Sequence, residues 1–134
     1  MRYLPLLLIP FLLYNAFAFL VFEDSAVDFR EATMFSAPMV SGATFTLTVG
    51  ATIILMALAL LVVEVIKATR IGSASIVDHV LATALFVVML IEFLLVPEAA
   101  TSTFLVLMGI ALVDLVCGFA VSLRAASRDV MIGP

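Results

Sequence analysis

The sequence predicts an all-α integral membrane bundle of four transmembrane helices, threaded up-down-up-down, with both termini on the cytoplasmic side. Three observations predict it: the composition, four apolar runs of spanning length, and a one-sided distribution of Lys and Arg. Of 134 residues, 66% are hydrophobic and 12% charged, where a soluble domain carries about 45–50% and roughly 25%. So short a chain cannot hide that much apolar surface inside itself, and the excess has to face lipid. The whole chain, 1–134, reads as a single transmembrane domain.

A membrane helix needs about 20 consecutive, mostly apolar residues. The first run is Tyr3 to Phe22, without a charge; the second is Met39 to Val63, also uncharged and continuing as helix to residue 66. The third covers residues 76–96, broken by Asp78, His79 and Glu92, and the fourth covers 100–123, broken by Asp114. Residues 23–38 form an outer loop and 67–75 a cytoplasmic one. Helices rather than strands are expected, since uninterrupted runs of this length lack the alternation of a barrel strand. Pro38 precedes the second span, where a missing N–H does no harm. Ser75-Ile-Val-Asp78 reads as a capping box for the third. Pro97 and Glu98 open a tight connection, and Thr101 to Thr103 can cap the fourth helix. Pro5 and Pro10 lie in the first span, and Pro10 is expected to kink it.

Orientation follows from the cations. Arg2, Lys67, Arg70, Arg124 and Arg128 fall on one side and only Arg30 on the other, and the connections are short enough for the positive-inside rule to apply. Arg2, the apolar run and Ala16-Phe17-Ala18 also fit a cleaved signal peptide; Phe19 to Phe22 extend the run to full spanning length and favour an uncleaved helix. In the outer loop, Val27, Phe29, Met34 and Phe35 stand among acids, a pattern for a segment lying on headgroups or for a partner surface.

Spans associate by close packing and hydrogen bonds. Gly42, Thr46 and Gly50 recur every four residues, with Ala43, Ala51 and Ala57 beside them; Ala111, Asp114, Gly118 and Ser122 share a face of the fourth span. These read as helix-packing stripes, within the bundle or between copies. Thr44-Phe45 with Gly50 echoes Thr103-Phe104 with Gly109, a faint sign of a duplicated helical hairpin.

Ionisable groups inside spans are costly, face the bundle interior and mark function. Glu92 and Asp114 are the clear acids here, and Asn15 the strongest neutral polar group. Measured from the cytoplasmic end at about 1.5 Å per residue, Asn15 lies roughly 18 Å up, Asp114 roughly 14 Å and Glu92 roughly 21–24 Å, so all three are expected to meet. Asp78, Ala82, Leu85, Met89 and Glu92 share one face of the third span. With no Lys or Arg at their depth, one of these acids is expected to keep its proton and donate to Asn15, a Thr hydroxyl or a carbonyl. At the cytoplasmic rim, Glu64, Lys67, Asp78 and His79 form a charge-balanced group; a metal site there needs Glu64, Asp78 and His79 to converge. Cys117 reads as a packing residue.

The residues exclude more than they assign. Net charge is -4 with no basic stripe, so no nucleic-acid partner is expected. One cysteine and one histidine leave no intrachain disulfide, cysteine-based zinc cluster or two-histidine haem site. No cofactor, metal or catalytic residue is assigned. Pro38-Met-Val-Ser-Gly-Ala43 and Val96-Pro-Glu-Ala-Ala-Thr-Ser-Thr-Phe104 resemble small four-helix inner-membrane proteins of bacteria without an assigned function. That resemblance covers most of the chain and implies architecture and a multi-pass inner-membrane location only. Small multidrug transporters share the length but centre on a first-span glutamate and on tryptophan, both absent here. The expected role is a non-enzymatic structural or accessory subunit, partnered by the lipid bilayer, by itself or by a larger membrane complex. The alternative is a small oligomeric proton- or ion-coupled transporter or channel using Glu92 and Asp114.

Overall fold

The computed structural model describes residues 4–21, 28–69 and 73–132. Four helices dominate it: α1 (Leu8–Ala16), α2 (Val49–Lys67), α3 (Ser73–Leu95) and α4 (Ser102–Ile132). Between α1 and α2 stands an antiparallel ribbon of two strands, β1 (Thr33–Pro38) and β2 (Thr44–Thr48). Three helices are long and apolar enough to cross a membrane: α2, α3 over Ile76–Leu95 and α4 over Ser102–Val121; α1 and its continuation make a shorter apolar helix, Leu8–Leu20. Arg2, Tyr3, Phe22, Glu23, Asp24, Val27 and Arg70, and the side chains of Ser75, Ser122 and Arg128, lie outside the described residues.

The ribbon corrects the expected second span. Residues 39–48 do not continue the helix; α2 begins at Val49. The reason is local. Thr44-Phe-Thr-Leu-Thr48 alternates β-branched hydroxyl residues with apolar ones, a period of two that a run of overall hydrophobicity conceals. Pro38 ends β1, opposite Thr44. The turn closes through Gly42 N–H to Met39 O (2.9 Å) and Met39 N–H to Ala43 O (2.8 Å). This three-residue loop needs its last residue in the left-handed region, and Gly42 has φ 92°. Thr48 then caps α2, its hydroxyl accepting from Ala51 N–H at 3.2 Å.

Gly42 and Thr46 are therefore ribbon residues and form no helical stripe with Gly50. Gly50 does mark a close approach, but to a different neighbour: a methyl group there would lie 3.0 Å from the Arg30 carbonyl oxygen. The echoed dipeptides also diverge, Phe45 being exposed on a strand and Phe104 fully buried in α4. No duplicated hairpin survives that difference.

Two helix starts differ from expectation. Helical backbone begins at Ser73, so Ser75 lies inside the first turn of α3 and does not cap it. Pro10 occupies the third position of α1, near enough to the start for its missing N–H to matter little. The Leu6 carbonyl, which residue 10 would otherwise engage, receives Ile9 N–H at 3.0 Å. The helix runs through Pro10 and widens instead into a π-helical turn at Phe17–Val21, just after Asn15 donates its side chain to the Phe11 carbonyl at 3.0 Å. Such back-bonding loosens a helix.

α4 is the central element, packing against α1, α2 and α3. It contributes Phe104, Leu107, Met108, Ile110 and Ala111 to the core, pairs among them lying three or four residues apart on one face, and Phe104 has no exposed surface. Val49, Ile53 and Ala57 meet it from α2, Leu85 and Met89 from α3, and Phe11 and Tyr14 from α1. An aromatic cluster closes one end. Tyr14 meets Phe29 and Phe104 edge-on with centroids 5.1 Å apart in each case, and Phe93 stacks on Phe104 at 6.3 Å. The opposite faces expose Leu55, Val62, Ile66, Val80, Ile91, Leu94, Leu105 and Val116. In a soluble protein so wide an apolar surface would be a liability; on helices long and apolar enough to cross a membrane it suits contact with lipid.

Candidate functional site

The polar side chains gather at the two ends of the bundle. At the ribbon end, Asn15 hydrogen-bonds the Glu92 carboxyl as well as the Phe11 carbonyl. The expected meeting of Asn15 with Glu92 is thus present, and Glu92 Oε2 is buried with no hydrogen-bond partner among the described residues. Beside this pair, Tyr14 ties α1 to the α3–α4 connection. Its hydroxyl bonds the Glu98 carbonyl at 3.1 Å and Thr101 Oγ1 at 2.6 Å. Thr101 Oγ1 also accepts Phe104 N–H at 3.1 Å, capping α4. A phenol has one proton to give, and the Glu98 carbonyl can only accept. The chain therefore runs one way: Phe104 N–H to Thr101, Thr101 O–H to Tyr14, Tyr14 O–H to Glu98.

At the other end, Glu64 reaches across to the start of α1. Its Oε1 accepts Leu6 N–H at 2.9 Å and Lys67 Nζ at 3.1 Å, and Lys67 also donates to the Leu4 carbonyl at 3.3 Å. Glu64 is buried, and a carboxylate at that helix start also complements its dipole. Glu64, Lys67, Ala68, Asp78, His79, Ala82, Asp114 and Gly118 line a common cavity, with room for about one water molecule. His79 packs edge-on against Phe119, centroids 5.7 Å apart. A methyl group at Gly118 would lie 3.5 Å from Ala68 Cβ and 3.7 Å from His79 Cε1, so Gly118 does serve close packing, as Ala111 does in the core.

Asp114 belongs to this second group and not with Asn15 and Glu92. The expected depth assumed that α4 ends near Leu123, but it continues to Ile132 and Gly118 is already level with Ala68 at the end of α2. Asp78 and Glu92 lie 14 residues apart on one face of α3, about 21 Å along the axis. Ala82, Leu85 and Met89, all buried, fill that face between them. The rim residues Glu64, Lys67, Asp78 and His79 do come together, yet among the described residues no group of three or more His, Cys, Asp or Glu is arranged to hold a metal ion. Cys117 is exposed.

Sequence reasoning passed over Tyr14 and the Asp28–Arg30 pair. Tyr14 carried a usable signal, a phenol within an apolar span whose hydroxyl must find a partner when buried. Outside the spans, Asp28 accepts from Arg30 N–H at 3.0 Å and from its guanidinium. Burial pushes the Asp28 carboxyl up, but the Arg30 bonds outweigh it and hold the carboxyl below its ordinary value. No protein-family model, no curated protein and no solved structure matches the chain.

Proposed function

We propose that this chain is a non-enzymatic protein of the bacterial inner membrane, crossing it four times with both termini cytoplasmic. In this reading it serves as a structural or accessory subunit that assembles with itself or with a larger membrane complex. The observation that carries the proposal is the division of the polar groups into two end clusters. Their hydrogen bonds tie helix to helix, and the interior between them is apolar, filled by Ile53, Leu85, Met89, Leu107 and Met108. A bundle so arranged is built to be stable and to present its surface. The surface includes an apolar groove along α3 and α4, lined by Thr83, Leu115, Val116, Phe119, Ala120 and Leu123, a surface on which another membrane helix could pack. The orientation rests on Arg2, Lys67, Arg70, Arg124 and Arg128 on one side of the spans against Arg30 alone on the other.

Transport is the second reading, and one observation favours it. Asp114 is only 6% exposed and accepts no hydrogen bond from a described residue, although it faces the shared cavity. Extraction of native membranes in mild detergent separates the two. A larger partner at fixed stoichiometry is the expected result. A homo-oligomer alone, with proton or ion flux in liposomes that Asp114→Asn abolishes, would overturn the accessory role in favour of transport.

A further inference from the structure

The ribbon has two unlike faces. In its register Phe35 stands opposite Leu47 and Ala37 opposite Phe45, while Ser36 stands opposite Thr46 and Pro38 opposite Thr44. Directly opposed residues of an antiparallel pair share a face. One face is therefore Phe35, Ala37, Phe45 and Leu47, and the other carries the hydroxyls of Ser36, Thr44 and Thr46. No charged residue occurs from Thr33 to Thr48. The apolar face is uncovered: Phe35 is 56% and Phe45 44% exposed, their rings 6.5 Å apart, and Met39 and Val40 at the tip are exposed as well.

An isolated two-stranded ribbon is marginal in water, and an uncovered aromatic face adds to the cost. The position of its base suggests what covers it. Thr48 caps α2, and Val49 is the first residue of a helix of membrane length, so the ribbon springs from the plane where hydrocarbon gives way to headgroups. Full immersion is excluded by the open strand edges, whose N–H and C=O groups need water. The hydroxyl face suits the wet side of the same boundary.

We propose that the β1–β2 ribbon lies in the outer headgroup boundary of the bilayer that the helices cross, with Phe35, Phe45, Met39 and Val40 seated against the acyl chains. The occupant of this face is lipid, bound without regard to headgroup charge. The proposal rests on the reading of α2 as a span, and the test keeps the two apart.

The chain has no tryptophan, so single substitutions give unambiguous fluorescence. The full chain is reconstituted in phosphatidylcholine vesicles with bromine placed either shallow or deep on the acyl chains. Phe45→Trp should be blue-shifted and lose more emission to shallow than to deep bromines. Thr46→Trp, on the hydroxyl face, should emit as in water, and Leu58→Trp, exposed midway along α2, should lose most to deep bromines. If Leu58→Trp is quenched and Phe45→Trp is not, the ribbon proposal is overturned while the span stands; this includes a Phe45→Trp shielded from aqueous acrylamide by protein. If neither is quenched, the span reading fails and takes the ribbon with it.

Discussion

Gly50 and Gly109 each sit within an apolar run, yet an added side chain meets different surroundings. At Gly50 it meets the Arg30 carbonyl; at Gly109 nothing lies within 4 Å. Gly50→Leu should therefore lower stability by about 1–3 kcal/mol through overpacking. Gly109→Ala should leave it unchanged or raise it by up to about 1 kcal/mol through helix propensity. Unfolding in detergent with added denaturant reads both, and equal effects at the two positions would contradict the packing described. The spacing that singled out Gly50 joined it to Gly42 and Thr46, which lie in the ribbon and not on its helix. It could not show that the neighbour is Arg30 in the turn Phe29–Glu31, because the strand pairing that folds that turn back onto α2 was hidden in the apolar run. Tyr14 illustrates the converse. Its need for a partner was legible, but the partner, 84 residues away at Glu98, was not.

Among the elements, the 3-10 turn Phe29–Glu31 depends on Asp28 at its start. The Asp28 carboxyl is held below 3.8, its ordinary value. A group with a depressed folded value contributes stability above its unfolded value and loses it as pH falls through the folded one. The turn should thus hold from neutrality down to about that point and loosen below it. Asp28→Asn should remove this acid-side dependence while leaving the helices intact. The pair is about one third exposed, so the effect is small and weakens with added salt. Thermal unfolding against pH, with and without Asp28→Asn, checks it; parallel curves for both proteins would rule the contribution out. The helices α2, α3 and α4 were legible from hydropathy because length and apolarity decide them. The ribbon was not, since a two-residue period inside an apolar run needs pattern rather than average to be seen.

For the molecule as a whole, α1 is the element held most by polar ties, to Glu64 at its start and to the Glu98–Thr101 connection through Tyr14. Tyr14→Phe keeps the rings and deletes the hydroxyl, and should cost about 0.5–1.5 kcal/mol. Glu64→Ala removes the acceptor shared by Leu6 and Lys67, and should cost about 1–3 kcal/mol. Hydrogen exchange should show both losses first in α1, with α2–α4 protected; uniform loss would mean that α1 is no separate unit. Of the polar residues read as interior, Asp114 is buried and Asn15 and Glu92 are half-buried, while Glu64, read as a rim residue, is buried. Which polar residues share a level was not readable, since helix ends judged by hydropathy misplace Asp114 by about two turns.

The length of α4 carries a mechanical consequence. Past Gly118, which packs against Ala68, it runs on to Ile132, a further helical length of about 21 Å. Tilting that length by about 10° would swing its tip sideways by about 4 Å. Slight adjustments among the packed helices would in this way be magnified into a larger displacement at the far end of α4.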